Sequence, residues 1–225
     1  MSIVETIFNP ISSFHHKRIR NYLKKLNIER IIDIGAHKGE FLETMLNLES
    51  VKSFYAFEPQ KDIFEILKKK FSENKKVILY NYAMDKEITN KSLQINKLSM
   101  TSTLAKINEK SLYLKFKNFL TNSSSNFVNQ YEVQTNTVDE IFKDLNLEKT
   151  LLKIDVEGFE INVLKGSKMK LEKIPFILLE NQFGSHYQDN NFSEIKELLN
   201  KEKFKILKKF IFPTLHYQDV LFKKI

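Results

Sequence analysis

Short apolar runs alternate with stretches of helical spacing along most of the chain. Strands are predicted over 30–34, 51–57, 77–82, 131–137, 150–154 and 176–179, and helices over 39–48, 59–71, 138–145, 159–165 and 193–201. Strands that alternate with helices indicate a parallel sheet with helical crossovers. A closing pair, predicted over 203–212 and 215–222, forms an antiparallel edge. The pattern predicts a doubly wound, mostly parallel α/β sheet with a C-terminal antiparallel strand pair.

Two segments interrupt the alternation. Residues 1–29 contain one predicted helix, over 10–26, and form an N-terminal helical lead-in to a single domain of residues 30–225. Residues 84–130 contain neither Gly nor Pro, and connections of this length in a compact domain are usually binding loops or lids. We expect an insertion that covers the acceptor, with a helix over 104–120 and with hydroxyls from Ser99, Thr101 and Ser102.

The composition narrows the class of protein. Hydrophobic residues make up 42% and charged residues 28%, which excludes a disordered chain, and the absence of cysteine excludes a disulfide scaffold and thiolate zinc sites. The apolar run 174–179 is too short to cross a membrane. Glu5 and Pro10 precede the first basic residue, Lys17, which reverses the order of a secretory signal. We expect a cytoplasmic protein.

The net charge of +8 suits nucleic acid or an anionic membrane surface. The lysines are nevertheless scattered, and only residues 68–70 and 201–209 form clusters, which fit solvated helix or strand faces. We therefore expect no nucleic-acid partner. Weak peripheral contact with anionic surfaces stays open, and the oligomeric state is not predicted.

A glycine turn follows the first strand, where a doubly wound sheet opens its ligand crevice. The segment DIGAHKG at residues 33–39 lacks a dinucleotide fingerprint, because His37 and Glu40 stand where glycines would be needed. It also lacks the Gly-Lys-Ser/Thr of a phosphate-binding loop. Asp33 places a carboxylate beside the turn, which disfavours phosphate and suits an ammonium or sulfonium group.

A second carboxylate, Glu58, ends the second strand 25 residues after Asp33, where it can accept the hydroxyl protons of a ribose. A cationic head group and a ribose without phosphate describe S-adenosylmethionine. Alternatively, Asp33 forms the turn and Glu58 caps the following helix. The adenine is expected near Tyr82. The predicted cofactor-binding residues are Asp33, Gly35, Ala36, His37, Gly39, Glu58, Pro59, Ala83, Met84 and Asp155.

The candidate catalytic residues follow later strands. Asp155 ends a strand, and Glu157 shares its face if the chain stays extended, so both are predicted to bind the acceptor hydroxyl or remove its proton. Glu180 and His186 complete a polar pocket. Glu160 stands in a first helical turn, where a negative charge is favourable. A less favoured alternative is a divalent metal held by Asp155, Glu157 and Glu180.

Four segments together resemble the FkbM methyltransferases. They are residues 33–39, the FEP of 57–59, the TVD of 137–139 and, above all, LKIDVEGFE with VLKG at 152–160 and 163–166. The resemblance implies the seven-stranded, Rossmann-like fold of class I S-adenosylmethionine-dependent methyltransferases and O-methylation of sugar hydroxyls. One departure is His37, where the family usually carries Asn.

The predicted function is methyl transfer from S-adenosylmethionine to a hydroxyl of a sugar, in a surface glycan or a glycosylated small molecule. The acceptor is expected to be a saccharide or a sugar nucleotide. The alternatives are a nucleic-acid methyltransferase, a non-catalytic module that binds the cofactor and, last, a dinucleotide reductase.

Overall fold

The computed structural model describes residues 3–96, 104, 127–182, 192–215 and 217–225. The helices are α1 (Ile3–Leu23), α2 (Glu40–Met45), α3 (Lys61–Phe71), α4 (Val138–Ile141), α5 (Glu160–Lys165) and α6 (Phe192–Lys201). The strands are β1 (Arg30–Ile34), β2 (Ser53–Phe57), β3 (Val77–Tyr80), β4 (Ala83–Met84), β5 (Asn90–Asn96), β6 (Phe127–Asn136), β7 (Thr150–Ile154), β8 (Phe176–Gln182), β9 (Phe204–Ile211) and β10 (Tyr217–Lys224). None of these described helices combines the length and apolar character that a membrane crossing requires.

Seven strands form the main sheet, in the order β3-β2-β1-β7-β8-β10-β9. Neighbouring strands are parallel except that β10 runs antiparallel to β8 and β9, so the predicted sheet and its C-terminal antiparallel pair are confirmed. The chain leaves β1 toward one edge and returns at β7 to build the other half. The carboxyl ends of β1 and β7 are therefore the point where the strand order reverses, which is where such sheets bind ligands.

Both faces of the sheet are covered, which explains the nearly continuous apolar runs of its central strands. Successive residues of β1 alternate between two cores: Ile32 belongs to one, and Ile31 to the other. Helix α1 covers the second face, where Ile19 and Leu23 are fully buried. Helix α1 thus packs on the same sheet as the rest of the chain. The division into a lead-in of residues 1–29 and a domain of residues 30–225 stays a prediction.

The predicted insertion contains strands that sequence reasoning missed. β4, β5 and β6 form a separate three-stranded sheet in which β6 is central, and β6 begins before the strand predicted at 131. Residues 90–96 mix polar and apolar side chains, and this composition did not predict a strand. Apart from residue 104, the helix predicted over 104–120 lies outside the described residues, as do Ser99, Thr101 and Ser102.

Gly166, at the end of α5, is required by close packing. Its φ is −80°, so the helix does not end in a left-handed residue. A Cβ at this position would lie 1.9 Å from the carbonyl oxygen of Asp85, which belongs to the segment after β4. The main chain of α5 can therefore approach that segment only without a side chain.

Replacing Gly166 by alanine is expected to lower the free energy of unfolding by about 1–3 kcal/mol, the usual cost of forcing an extra group into a packed site. Urea denaturation measures the change. The exposed Lys168→Ala, in the next turn, is the control and should change stability by less than about 0.5 kcal/mol. Equal midpoints for the two variants would contradict the packing argument.

Candidate active site

The loops after β1 and β7 touch at the point where the strand order reverses. Gly35 has a φ of +82°, and a Cβ on it would lie 1.8 Å from the carbonyl oxygen of Asp155. Gly39, which begins α2, has a φ of +81°, and its Cβ would meet the ring of Phe71 at 2.3 Å. Both glycines are thus dictated by left-handed backbone and close contact. They shape the turn that the sequence assigned to the cofactor.

Glu58 lies directly beside this turn. Its carboxylate accepts hydrogen bonds from the backbone N–H groups of His37, at 2.9 Å, and Gln60, at 2.8 Å. Burial raises the pKa of Glu58, and the two hydrogen bonds partly offset that rise. The backbone thus fixes the Glu58 carboxylate at the end of β2.

His37 has a φ of +47°, in the left-handed region. Among residues other than glycine, Asn and His are enriched there, which explains why His stands at a position where the family usually carries Asn. Its ring Nδ1 lies 3.0 Å from a carboxylate oxygen of Glu40. The substitution therefore keeps the shape of the turn and adds an ion-pairing ring.

The other predicted cofactor residues differ in exposure. Pro59 is half-buried and follows Glu58, and Ala36 is buried, with its N–H bonded to the carbonyl of Phe57. Ala83 and Met84 are 4% and 2% exposed, and the Met84 side chain packs in the main core.

Asp33 has a partner that sequence reasoning missed. Lys153, within β7, places its Nζ 2.9 Å from the Asp33 carboxylate and 3.3 Å from that of Asp155. Asp33 is almost fully buried, and this lysine is its immediate cation, while its contact with the cofactor head group stays a prediction. Burial by itself lowers the pKa of Lys153, but the charges of Asp33 and Asp155 outweigh burial and raise it. The available signal was a lysine inside an otherwise apolar buried strand, since buried charges need partners.

Asp155, Glu157 and Glu180 come together as predicted, but for a different reason. Glu157 has a φ of +54°, so the chain turns at this residue and is not extended as expected. Gln182 joins the cluster: its Nε2 donates to Glu157 at 2.8 Å and to Glu180 at 2.9 Å. Burial raises the pKa of Glu180 well above its usual value, and the charges of Asp155, Glu157 and Asp219 add to the rise.

Glu160, the first residue of α5, holds the turn in place. It is buried, and its carboxylate accepts from the N–H of Gly158 at 3.0 Å and of Val156 at 3.4 Å. Burial raises its pKa to about 7, against the effect of these hydrogen bonds. Glu160 therefore supports the Asp155–Gly158 turn and does not point into the crevice as a free base.

The raised pKa of Glu160 predicts a pH dependence of stability. The folded state holds the proton up to about pH 7, whereas the unfolded chain releases it near its ordinary value of 4.5, so stability falls as pH rises between these values. Glu160→Gln should remove this fall and be more stable than the wild type at pH 8, by up to about 3 kcal/mol. Urea denaturation at pH 5 and pH 8 checks it. A variant that loses stability equally at both pH values would contradict it.

Helix α1 contributes residues that no sequence pattern linked to the site. His15 is fully buried, and its Nε2 lies 2.6 Å from the carboxylate of Asp219 in β10. His16 packs edge-on against Phe41, and burial lowers its pKa to about 4. The two partners His15 and Asp219 are 204 positions apart in the chain, so only the fold brings them together.

The predicted pocket residue His186 and the alternative metal site remain to be located in the structure. His186 lies outside the described residues. The described part of the chain contains no group of three or more His, Asp or Glu side chains arranged to hold a metal ion. The alternative of a cation on Asp155, Glu157 and Glu180 therefore has no geometric support.

The sheet order and the crevice define a class I methyltransferase fold. The methyltransferase domain of the bacterial protein CtHen1-C is 10% identical, with a TM-score of 0.54 over 95% of this chain and 98% of that one. A protein described as an rRNA-methylase from Clostridium thermocellum is 12% identical, with a TM-score of 0.52 over 92% and 94%. A SAM-dependent methyltransferase from Leishmania major is 12% identical, with a TM-score of 0.51 over 96% and 72%. At these identities the similarity shows the fold.

The sequence identifies the family. The model of the methyltransferase FkbM domain matches residues 33–206, well over half of the chain. No curated protein matches the chain significantly. The chain therefore belongs to the FkbM methyltransferase family, as its motifs indicated, and the fold implies S-adenosylmethionine as the methyl donor.

Proposed function

We propose that the protein transfers a methyl group from S-adenosylmethionine to a hydroxyl of a saccharide, in a surface glycan or a glycosylated small molecule. The observation that carries this proposal is the carboxylate cluster of Asp155, Glu157, Glu180 and Asp219, at the carboxyl ends of β7 and β8 and the amino end of the antiparallel β10. Carboxylates bind sugar hydroxyls as hydrogen-bond acceptors. A negative cluster also stabilises a positively charged donor.

The residues around Gly35 fit the methyl donor. Each oxygen of the Glu58 carboxylate accepts one backbone N–H and has capacity for another hydrogen bond, so together they suit a ribose diol. The main chain of residues 35–39 is free of side-chain bulk at Gly35 and Gly39. When bound, S-adenosylmethionine supplies a methyl group activated by positive sulfur. Glu58 and this turn would hold it, and the Asp155 turn would face its reactive end.

The protein must align the acceptor oxygen with the methyl group and take up a proton. In our proposal Asp155 and Glu157 orient the acceptor through its hydroxyls, and Glu180 accepts the proton of the reacting hydroxyl. The raised pKa of Glu180 supports this assignment, because a general base works best when its pKa approaches the working pH. Lys153 keeps Asp155 in place through its ion pair.

The same charges argue against the nucleic-acid alternative. A chain of phosphates would have to approach four carboxylates, with Lys153 as their one nearby buried cation in the described part of the chain. Phosphate recognition normally depends on clustered Lys and Arg.

The test is a transfer assay with isotope-labelled S-adenosylmethionine and three acceptor panels: neutral oligosaccharides, sugar nucleotides and RNA transcripts. We expect label in a saccharide product that has gained one methyl group on oxygen, located by mass spectrometry. Label in RNA alone would overturn the proposal. Calorimetric binding of the donor without transfer to any panel would instead favour the non-catalytic module.

A further inference from the structure

His15 reaches the acceptor side of the site from a helix outside the family-matched residues. Its Nε2 lies 2.6 Å from Asp219, and both side chains are buried. Two hydrogen-bond acceptors do not approach this closely, so a proton lies between them. We assign it to Nε2, because an ionised Asp219 carboxylate can only accept. The ring is held by edge-on contacts with Phe212, at 5.1 Å, and Tyr217, at 5.8 Å, measured between ring centroids.

Asp219 lies directly opposite Glu180 in the antiparallel pair of β10 and β8. Opposed residues of such a pair project to the same face of the sheet, and like charges in this arrangement are unfavourable. The negative charge of Asp219 therefore resists ionisation of Glu180, and it is one of the groups that raise the Glu180 pKa. Burial raises the pKa of Asp219, and the hydrogen bond from His15 opposes that rise, so the contact with His15 favours the ionised carboxylate.

We infer that His15 is a positioning residue of the active site, which holds the Asp219 carboxylate ionised opposite Glu180 and so favours Glu180 as the group that takes up the proton of the acceptor. This inference rests on the proposed function. It makes α1 part of the catalytic architecture, although the family model begins at residue 33.

Other charged and titratable groups also face Asp219 and Glu180. Asp155 and Glu157, from the turn after β7, face Glu180 together with Asp219. His15, Asp155 and Lys153 act on Asp219. Tyr217, at the start of β10, faces the same carboxylates, and burial and their charges raise its pKa. Among these neighbours, His15 alone belongs to α1 and binds Asp219 directly.

Both single variants of the pair should move the ionisation of Glu180 in the same direction, to lower pH. Asp219→Asn keeps the shape of the side chain and removes the opposing charge, so Glu180 should ionise at a pH lower by about one unit. His15→Leu removes the donor, so the buried Asp219 takes up a proton, its charge is lost, and Glu180 should again ionise at a pH lower by about one unit. His15→Gln, whose amide nitrogen can replace Nε2 as a donor, should restore most of the wild-type behaviour. The exposed Asp144→Asn is the control.

Two measurements on the full chain test the inference. Carboxyl ¹³C NMR, with the Glu180 resonance assigned by its loss in Glu180→Gln, follows ionisation without turnover. The acidic limb of the kcat–pH profile follows the chemistry. A purely structural role would reduce melting temperature and activity without shifts to lower pH in both variants, and His15→Gln would not rescue them.

The outcomes separate the two proposals. NMR shifts to lower pH in both variants, matched by shifts of the kcat limb to lower pH, support the inference. Shifts to higher pH, or none, overturn it, and NMR shifts that the kcat limb does not follow overturn the positioning role. If the wild type transfers no methyl group to any acceptor, the proposed function fails, while the NMR shifts still decide whether His15 controls Glu180.

Discussion

Replacing Lys153 by methionine is expected to destabilise the protein by about 3–5 kcal/mol, because it leaves a buried carboxylate without its cation. Asp33 is almost completely buried, and Lys153 lies 2.9 Å from it. Methionine fills much of the same volume, so the loss measures the charge and not a cavity. Urea denaturation at neutral pH gives the free energy of unfolding.

Two further variants identify the cause of that loss. The double variant Asp33→Asn with Lys153→Met removes both charges and should be more stable than Lys153→Met alone. Lys165→Met breaks an exposed pair with Glu194, 3.5 Å long, and should cost less than about 1 kcal/mol. If Lys153→Met and Lys165→Met lose the same stability, the buried pair does not support the crevice as we describe.

The second large effect concerns catalysis. Glu180→Gln should lower kcat by about 10²–10⁴-fold, the usual contribution of a positioned general base. The amide retains the size of the side chain and can still meet Gln182, but it cannot take up a proton. Donor binding, followed by calorimetry, should be unchanged because Glu58 and the turn of residues 33–39 lie elsewhere along the crevice.

A matched control accompanies this variant. Glu49→Gln removes an exposed carboxylate between α2 and β2, and its kcat should equal that of the wild type. Full activity of Glu180→Gln would show that another group removes the proton. Loss of donor binding together with kcat would show that the substitution disturbs the crevice as a whole.

Local sequence patterns were enough to predict the main sheet, the glycine turn after β1 and the carboxylates at the ends of its strands. Short apolar runs between stretches of helical spacing located the main strands, and the turn at Gly35 and Gly39 followed from glycine spacing after β1. The carboxyl ends of parallel strands lie at one edge of the sheet, so the sequence assigns Glu58, Asp155 and Glu180 to that edge. The strand β5 was missed because it packs one face in a small sheet, where the periodic signal is weak.

The remaining residues of the site have no local signal that identifies their partners. Lys153 is a lysine inside an apolar strand, and Gln182 is a polar residue after the predicted strand 176–179. The left-handed conformation of Glu157 depends on the hydrogen bonds that Glu160 and Gln182 make around it. One partner of Lys153 and one partner of Gln182 are distant from them in the sequence.

By itself the sequence determined the type of fold, the family and the edge of the sheet that carries the chemistry, because each depends on short-range periodicity and on motifs of a few residues. Only the tertiary structure decided which side chains meet there. It paired Lys153 with Asp33 and brought His15 of the first helix to Asp219 of the last strand. Those contacts depend on how helices and strands pack after the chain has folded, and a linear pattern contains no information on packing across 204 residues.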